Sequence, residues 1–157
     1  MTVAGLFVDW MLSFPPDEVS PLPYVPPSRL PLPHWFDPAK WPHLAAPELI
    51  NAVYRCQRCG MCRETKSCAV LRKNLPLEIY TPRAIIATAR ALLEERMSTQ
   101  ALPAWFTKAL QDCNCCGRCG DACIVNVAYR EGASPEPNID HARLFKAIKE
   151  TIFGASR

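Results

Sequence analysis

Two runs of cysteine with nearly the same spacing limit this chain more than any other feature. Cys56, Cys59, Cys62 and Cys68 form a C-x2-C-x2-C-x5-C group. Cys113, Cys116, Cys119 and Cys123 form a C-x2-C-x2-C-x3-C group, and Cys115 is a ninth, additional thiol. Three thiolates two residues apart wrap a short loop around one side of an iron–sulfur cube. The fourth cysteine then points away and, in proteins with two cubes, ligates the other one. Crossed ligation predicts one [4Fe–4S] cluster on Cys56, Cys59, Cys62 and Cys123, and a second on Cys113, Cys116, Cys119 and Cys68. Gly60 and Gly117 stand directly after the middle cysteine of each run. Glycine there lets the backbone come close to a cluster and donate N–H bonds to its sulfurs. Zinc is the competing reading, but zinc sites show separated pairs, and a triple run wastes ligands on a four-coordinate ion.

The odd cysteine count argues against a disulfide framework. So does the absence of an export signal: no Lys or Arg precedes Arg29, whereas a signal peptide begins with basic residues. The longest apolar run, Val3 to Phe14, is interrupted by Asp9 and is too short for a membrane span. A cytoplasmic protein without a transmembrane span is therefore expected. The net charge of +3 is too mild to argue for nucleic acid. At 157 residues the chain fits one domain with an appendage.

The appendage is visible in the prolines. Residues 1–47 hold 11 of the 16 and no cysteine. Such a density excludes helix interiors and central strands and favours extended backbone. The segment also carries Phe7, Trp10, Phe14, Tyr24, Trp35, Phe36 and Trp41, an aromatic content foreign to solvated disorder. We read residues 1–46 as an extended Pro- and aromatic-rich arm that docks on this domain or on a partner subunit. Residues 47–157 read as a mainly α domain with irregular cysteine loops. Pro47 opens a helix that runs through Arg55 to the first cysteine group. Thr81 and Pro82 cap and open a second, with Ile85, Ile86, Ala89, Leu92, Leu93 and Met97 on one stripe to Met97. A third runs from Pro103 to Asp112. Asn138 is the expected cap of a last helix carrying Ile139, Leu144, Phe145, Ile148 and Ile152, closed by Gly154.

This order of helices and cysteine groups, with Tyr80-Thr81-Pro82-Arg83 opening the long helix, resembles the small two-cluster iron–sulfur subunit of heterodisulfide reductase and the wider α-helical ferredoxin domains. The resemblance covers roughly residues 47–153. It implies an α-helical ferredoxin fold with two cubane clusters between helices. It also implies a non-catalytic subunit that passes single electrons between cofactors, flavin or cluster, of partner subunits in a hetero-oligomeric oxidoreductase. The chain departs from the family in three places. Five residues, not three, separate Cys62 from Cys68; Ala69 and Ile124 replace the proline that usually follows each fourth cysteine; and Cys115 is extra.

Between Arg55 and Lys73 six basic residues face one acid, Glu64, whereas residues 111–123 carry a balance of −1. Positive charge favours the more negative, reduced state of a cluster, so the group-one cluster is expected to have the higher potential. The basic stretch also suits a solvated face or docking of an acidic partner. His34, His43 and His141 show no ligand spacing. Cys115 reads as a spare thiol beside the second cluster, with a swap for Cys113 as the alternative. Two other functions remain open at this point: a zinc-stabilised interaction protein, and an iron–sulfur subunit with one open, catalytic cluster if Cys68 is not a ligand.

Overall fold

The computed structural model describes residues 25–65, 68–74 and 77–154. Val3 to Phe14, Tyr24 and Lys66 lie outside the described residues. The fold is mainly helical, with no strand among the described residues. Among the described residues six α-helices follow in order: α1 (Pro47–Arg55), α2 (Ala69–Lys73), α3 (Pro82–Leu93), α4 (Ala104–Asp112), α5 (Val127–Arg130) and α6 (His141–Phe153). Short 3-10 turns join them, among them Met61–Glu64, Glu78–Tyr80, Arg118–Gly120 and Ile124–Asn126.

Helices α1, α3, α4 and α6 enclose the core. Helix α1 packs on α3 and α6, and α4 packs on the same two. Ile50, Phe106, Leu110 and Leu144 are completely buried, with Val53, Ile85, Ile86 and Ile148 almost so. Each such side chain contributes roughly 1.5–3 kcal/mol by leaving water, which fixes the helix ends that carry the cysteines.

Local chemistry sets those ends. Pro47 and Pro82 occupy first helical positions, where a missing N–H costs nothing. Thr81 is fully buried; its hydroxyl accepts the Ala84 N–H at 3.4 Å and donates to the Glu78 carbonyl at 2.7 Å. Helix α3 stops at Leu93, four residues short of the expected Met97. Glu95 turns left-handed (φ 56°), and the N–H groups of Glu95 and Arg96 close on the carbonyls of Leu92 and Ala91. This is a Schellman closure with glutamate where glycine is usual. Helix α4 begins at Ala104 with Pro103 as its cap residue. The last helix is capped by Asp140, not Asn138: the Asp140 carboxylate accepts the Arg143 N–H at 3.1 Å. Asn138 is engaged elsewhere, donating to the Val125 carbonyl at 2.7 Å and accepting from Arg55. Gly154 ends α6 with φ 78°.

Residues 25–46 lie across the helices as a strap. The turn Pro27–Arg29 packs on α1, and the turn Pro42–Leu44 packs on α6. Phe36, Trp41 and Leu44 are buried in the common core. Trp35 stays half-exposed and sets its ring edge-on to Tyr54 at 5.4 Å. Lys40 pairs with Glu95, and Ser28 donates to the Glu136 carboxylate.

The chain also repeats itself. Cys56, Cys59 and Cys62 recur 57 residues later as Cys113, Cys116 and Cys119. In each half a helix (α1, α4) runs into a cysteine loop, and a fourth cysteine precedes a short helical turn. A longer capped helix (α3, α6) then follows.

Candidate iron–sulfur centres

The two cysteine loops share one backbone shape. Arg58 and Cys115, at equivalent places, are both left-handed (φ 56° and 54°); so are Gly60 and Gly117 (φ 86° and 76°). The first turn of each loop folds an amide back on its leading thiol. Cys115 N–H donates to Cys113 Sγ at 3.4 Å, and the Arg58 N–H, at the equivalent place, favours the thiolate of Cys56. The glycines let each loop sit on a helix N-terminus. A Cβ at Gly60 would stand 3.1 Å from the Arg83 guanidinium at the start of α3, and one at Gly117 would stand 3.2 Å from Ala142 Cβ at the start of α6. The first N–H groups of a helix lack partners within it, and that of Arg83 favours the thiolate of Cys62. The N–H groups of Val125 and Asn126 favour the thiolate of Cys123, and that of Asn126 donates to the Cys123 carbonyl at 3.1 Å.

These loops bring the predicted cysteines together in two cavities. Cys56, Cys59, Cys62 and Cys123 line one, whose remaining wall includes Arg83, Ile86, Val125, Ile139 and His141. Cys113, Cys116, Cys119 and Cys68 line the other, with Tyr80, Pro82, Ile85 and Phe145. The fourth cysteine of each run therefore stands with the other run's loop. Cys115 lines neither cavity. Cys59 and Cys116 are exposed, whereas Cys62, Cys119 and Cys123 are buried. The turns Met61–Glu64 and Arg118–Gly120 touch, so the cavities adjoin.

Burial pushes the Cys62 and Cys113 thiols up to about 11, and raises those of Cys56, Cys119 and Cys123 as well. Backbone N–H donors oppose the rise at Cys56, Cys62, Cys113 and Cys123. Thiols in such surroundings stay protonated unless a positive centre is bound among them. The donor set fits a cluster: four sulfurs around a cavity, N–H groups aimed at sulfur, and glycines that bring backbone close. Among the described residues no three Cys, His, Asp or Glu side chains form a group able to hold one metal ion.

Of the histidines, His34 is exposed and His43 faces Glu150 at 3.7 Å. His141 is buried, which lowers its pKa, and its Nδ1 lies 3.0 Å from the Ile139 carbonyl. Sequence spacing did not mark His141 or Arg83 as walls of the group-one cavity. The helix caps Thr81-Pro82 and Asp140 were the available signal, because they place Arg83 and His141 in a first turn. In the basic stretch, Arg63 is paired with Glu78 and Lys73 with Asp112; Arg58 and Arg72 are exposed.

Residues 52–127, which include all nine cysteines, match the family model described as a 4Fe-4S dicluster domain. The match supports an iron–sulfur, ferredoxin-like family and an electron-transfer role for this part of the chain. No curated protein and no solved structure matches the chain. Among the described residues no helix is long and apolar enough to cross a membrane.

Proposed function

We propose that this chain is an electron-transfer subunit holding two [4Fe–4S] clusters and relaying single electrons inside a larger, heterodisulfide reductase-like complex. Cys56, Cys59, Cys62 and Cys123 hold one cluster; Cys113, Cys116, Cys119 and Cys68 hold the other. The observation that carries this reading is the pairing of each triple run with the fourth cysteine of the other run around adjoining cavities. When bound, such clusters accept and give up one electron each.

The residues around them do three things. The thiols anchor the clusters. Ile86, Val125 and Ile139 on one side, and Ile85, Tyr80 and Phe145 on the other, keep water from the walls. Backbone N–H donors and nearby guanidinium groups stabilise added negative charge. Arg58 and Arg83 border the group-one cavity and Arg118 the group-two cavity, which supports a higher potential for the group-one cluster. Other subunits of the complex, in the cytoplasm, hold cofactors that exchange electrons with the chain, and the chain itself catalyses no substrate reaction.

EPR of the anaerobically reduced protein tests this. Two neighbouring reduced clusters give a spin-coupled signal. Cys123→Ala is expected to leave an uncoupled signal from the group-two cluster, and Cys68→Ala one from the group-one cluster. Two intact, coupled clusters in either variant would overturn the crossed assignment.

A further inference from the structure

An open groove lies against the outer wall of the group-one cavity. Arg58, Ile79, Arg83, Ala84, Ala87 and Trp105 line it, enclosing about 910 Å³ open to solvent. Arg58 and Arg83 also line the group-one cavity, so those two side chains separate the groove from the thiols. The Arg83 guanidinium is braced, donating to the Arg58 carbonyl at 2.8 Å and pairing with Glu78. Glu78 also takes Arg63 at 2.8 Å. Two guanidinium groups, those of Arg63 and Arg83, therefore share one carboxylate, while that of Arg58, which also lines the groove, forms no ion pair among the described residues. Ile79 in the groove is 38% exposed, and Met61 and Leu77, the chain neighbours of Gly60 and Glu78, are 44% and 49% exposed. Cys59, the exposed thiol of this loop, lies in the same stretch.

The other loop offers a different surface. The depression beside it, about 520 Å³, has Asp121 and Asp140 on its wall with Arg130. An acidic partner is attracted to the first surface and repelled from part of the second.

We propose that the groove beside Cys59 is the docking port for an acidic one-electron carrier protein, and that electrons pass between it and the chain through the group-one cluster. This rests on the two-cluster relay reading. The apolar floor supplies the contact that desolvates, and Arg58 with Arg83 selects the partner's charge and sets its orientation. Each encounter moves one electron, so the carrier changes by one unit of charge and the group-one cluster by the opposite unit.

The test uses the whole cluster-loaded chain and flavodoxin, a small acidic carrier, as the probe, with basic cytochrome c for contrast. Affinity is measured by titration calorimetry at low and high salt, and electron transfer by stopped flow. Arg58→Glu is expected to weaken flavodoxin binding about tenfold or more, Ile79→Ser about fivefold, and Arg118→Glu less than twofold. Added salt should weaken the unmodified protein and leave Arg58→Glu little changed. Unaltered binding in both groove variants, a greater loss in Arg118→Glu, no binding of flavodoxin, or preference for cytochrome c would each overturn the port. Iron content and the EPR signal report separately on the relay reading, so failure of the port with intact clusters leaves that reading standing.

Discussion

Replacing Gly117 by alanine should damage this protein more than the same change at Gly60, although both glycines serve equivalent loops. Both are left-handed, and that backbone costs a residue with a Cβ about 1–2 kcal/mol. Alanine's smaller unfolded-state entropy offsets about 0.4–1 kcal/mol of it. The net backbone cost is near 1 kcal/mol at either site. The difference lies in what each new methyl meets. At Gly60 it meets the far end of the Arg83 side chain at 3.1 Å, which can give by a few tenths of an ångström without leaving Glu78 or the Arg58 carbonyl. At Gly117 it meets Ala142 Cβ at 3.2 Å, with the Ala142 backbone nitrogen at 3.8 Å. Relief there requires moving the first turn of α6, and forcing apart packed elements costs about 1–3 kcal/mol more. The totals are about 1 kcal/mol for Gly60→Ala and about 2–4 kcal/mol for Gly117→Ala. The assay is the anaerobic half-life of cluster absorbance in a fixed concentration of urea with an iron chelator. If loss follows the open population, the half-life shortens about fivefold in Gly60→Ala and about thirtyfold or more in Gly117→Ala. Equal shortening, or a greater effect at Gly60, would refute the claim that each loop is seated on a helix N-terminus.

Other changes have equally definite outcomes. Thr81→Ala removes a buried cap of α3 and is expected to cost about 1–2 kcal/mol, with Thr81→Ser restoring most of it; urea resistance of the two variants checks this. Asn126 is buried and bridges the Ile139 backbone twice, through Nδ2 at 2.9 Å and Oδ1 at 3.0 Å. Asn126→Ala leaves two buried backbone groups unpaired at about 1–3 kcal/mol each, so it should lose its clusters faster than Asn126→Asp, which keeps the acceptor. Cys115→Ala should retain the iron content and coupled EPR signal of the parent, because this thiol lines neither cavity.

Much of this arrangement was readable in advance where the chemistry is local. Proline at a first helical position announced α1 and α3, and Thr81 announced where α3 begins. The end of α3 was not readable, because its closure uses Glu95 in a backbone state that glycine usually signals. Asn138 looked like a cap, yet its side chain is needed by Arg55 and Val125, both distant in sequence. Helices α2 and α5 have five and four residues, too few for a hydrophobic period to show. The prolines of the strap suggested an appendage; its aromatic residues Phe36 and Trp41 are held in the common core. For the site, cysteine spacing alone grouped the thiols as the cavities do. The walls were hidden, since Arg83, Ile139 and His141 arrive from helix starts that only tertiary packing brings to the loops.

The claim that matters most is that this chain holds two iron–sulfur cubes rather than mononuclear metal. Iron, sulfide and zinc analysis of anaerobically purified protein tests it most directly. The account predicts about eight iron and eight sulfide per chain, with negligible zinc. About two zinc ions and no sulfide would contradict it.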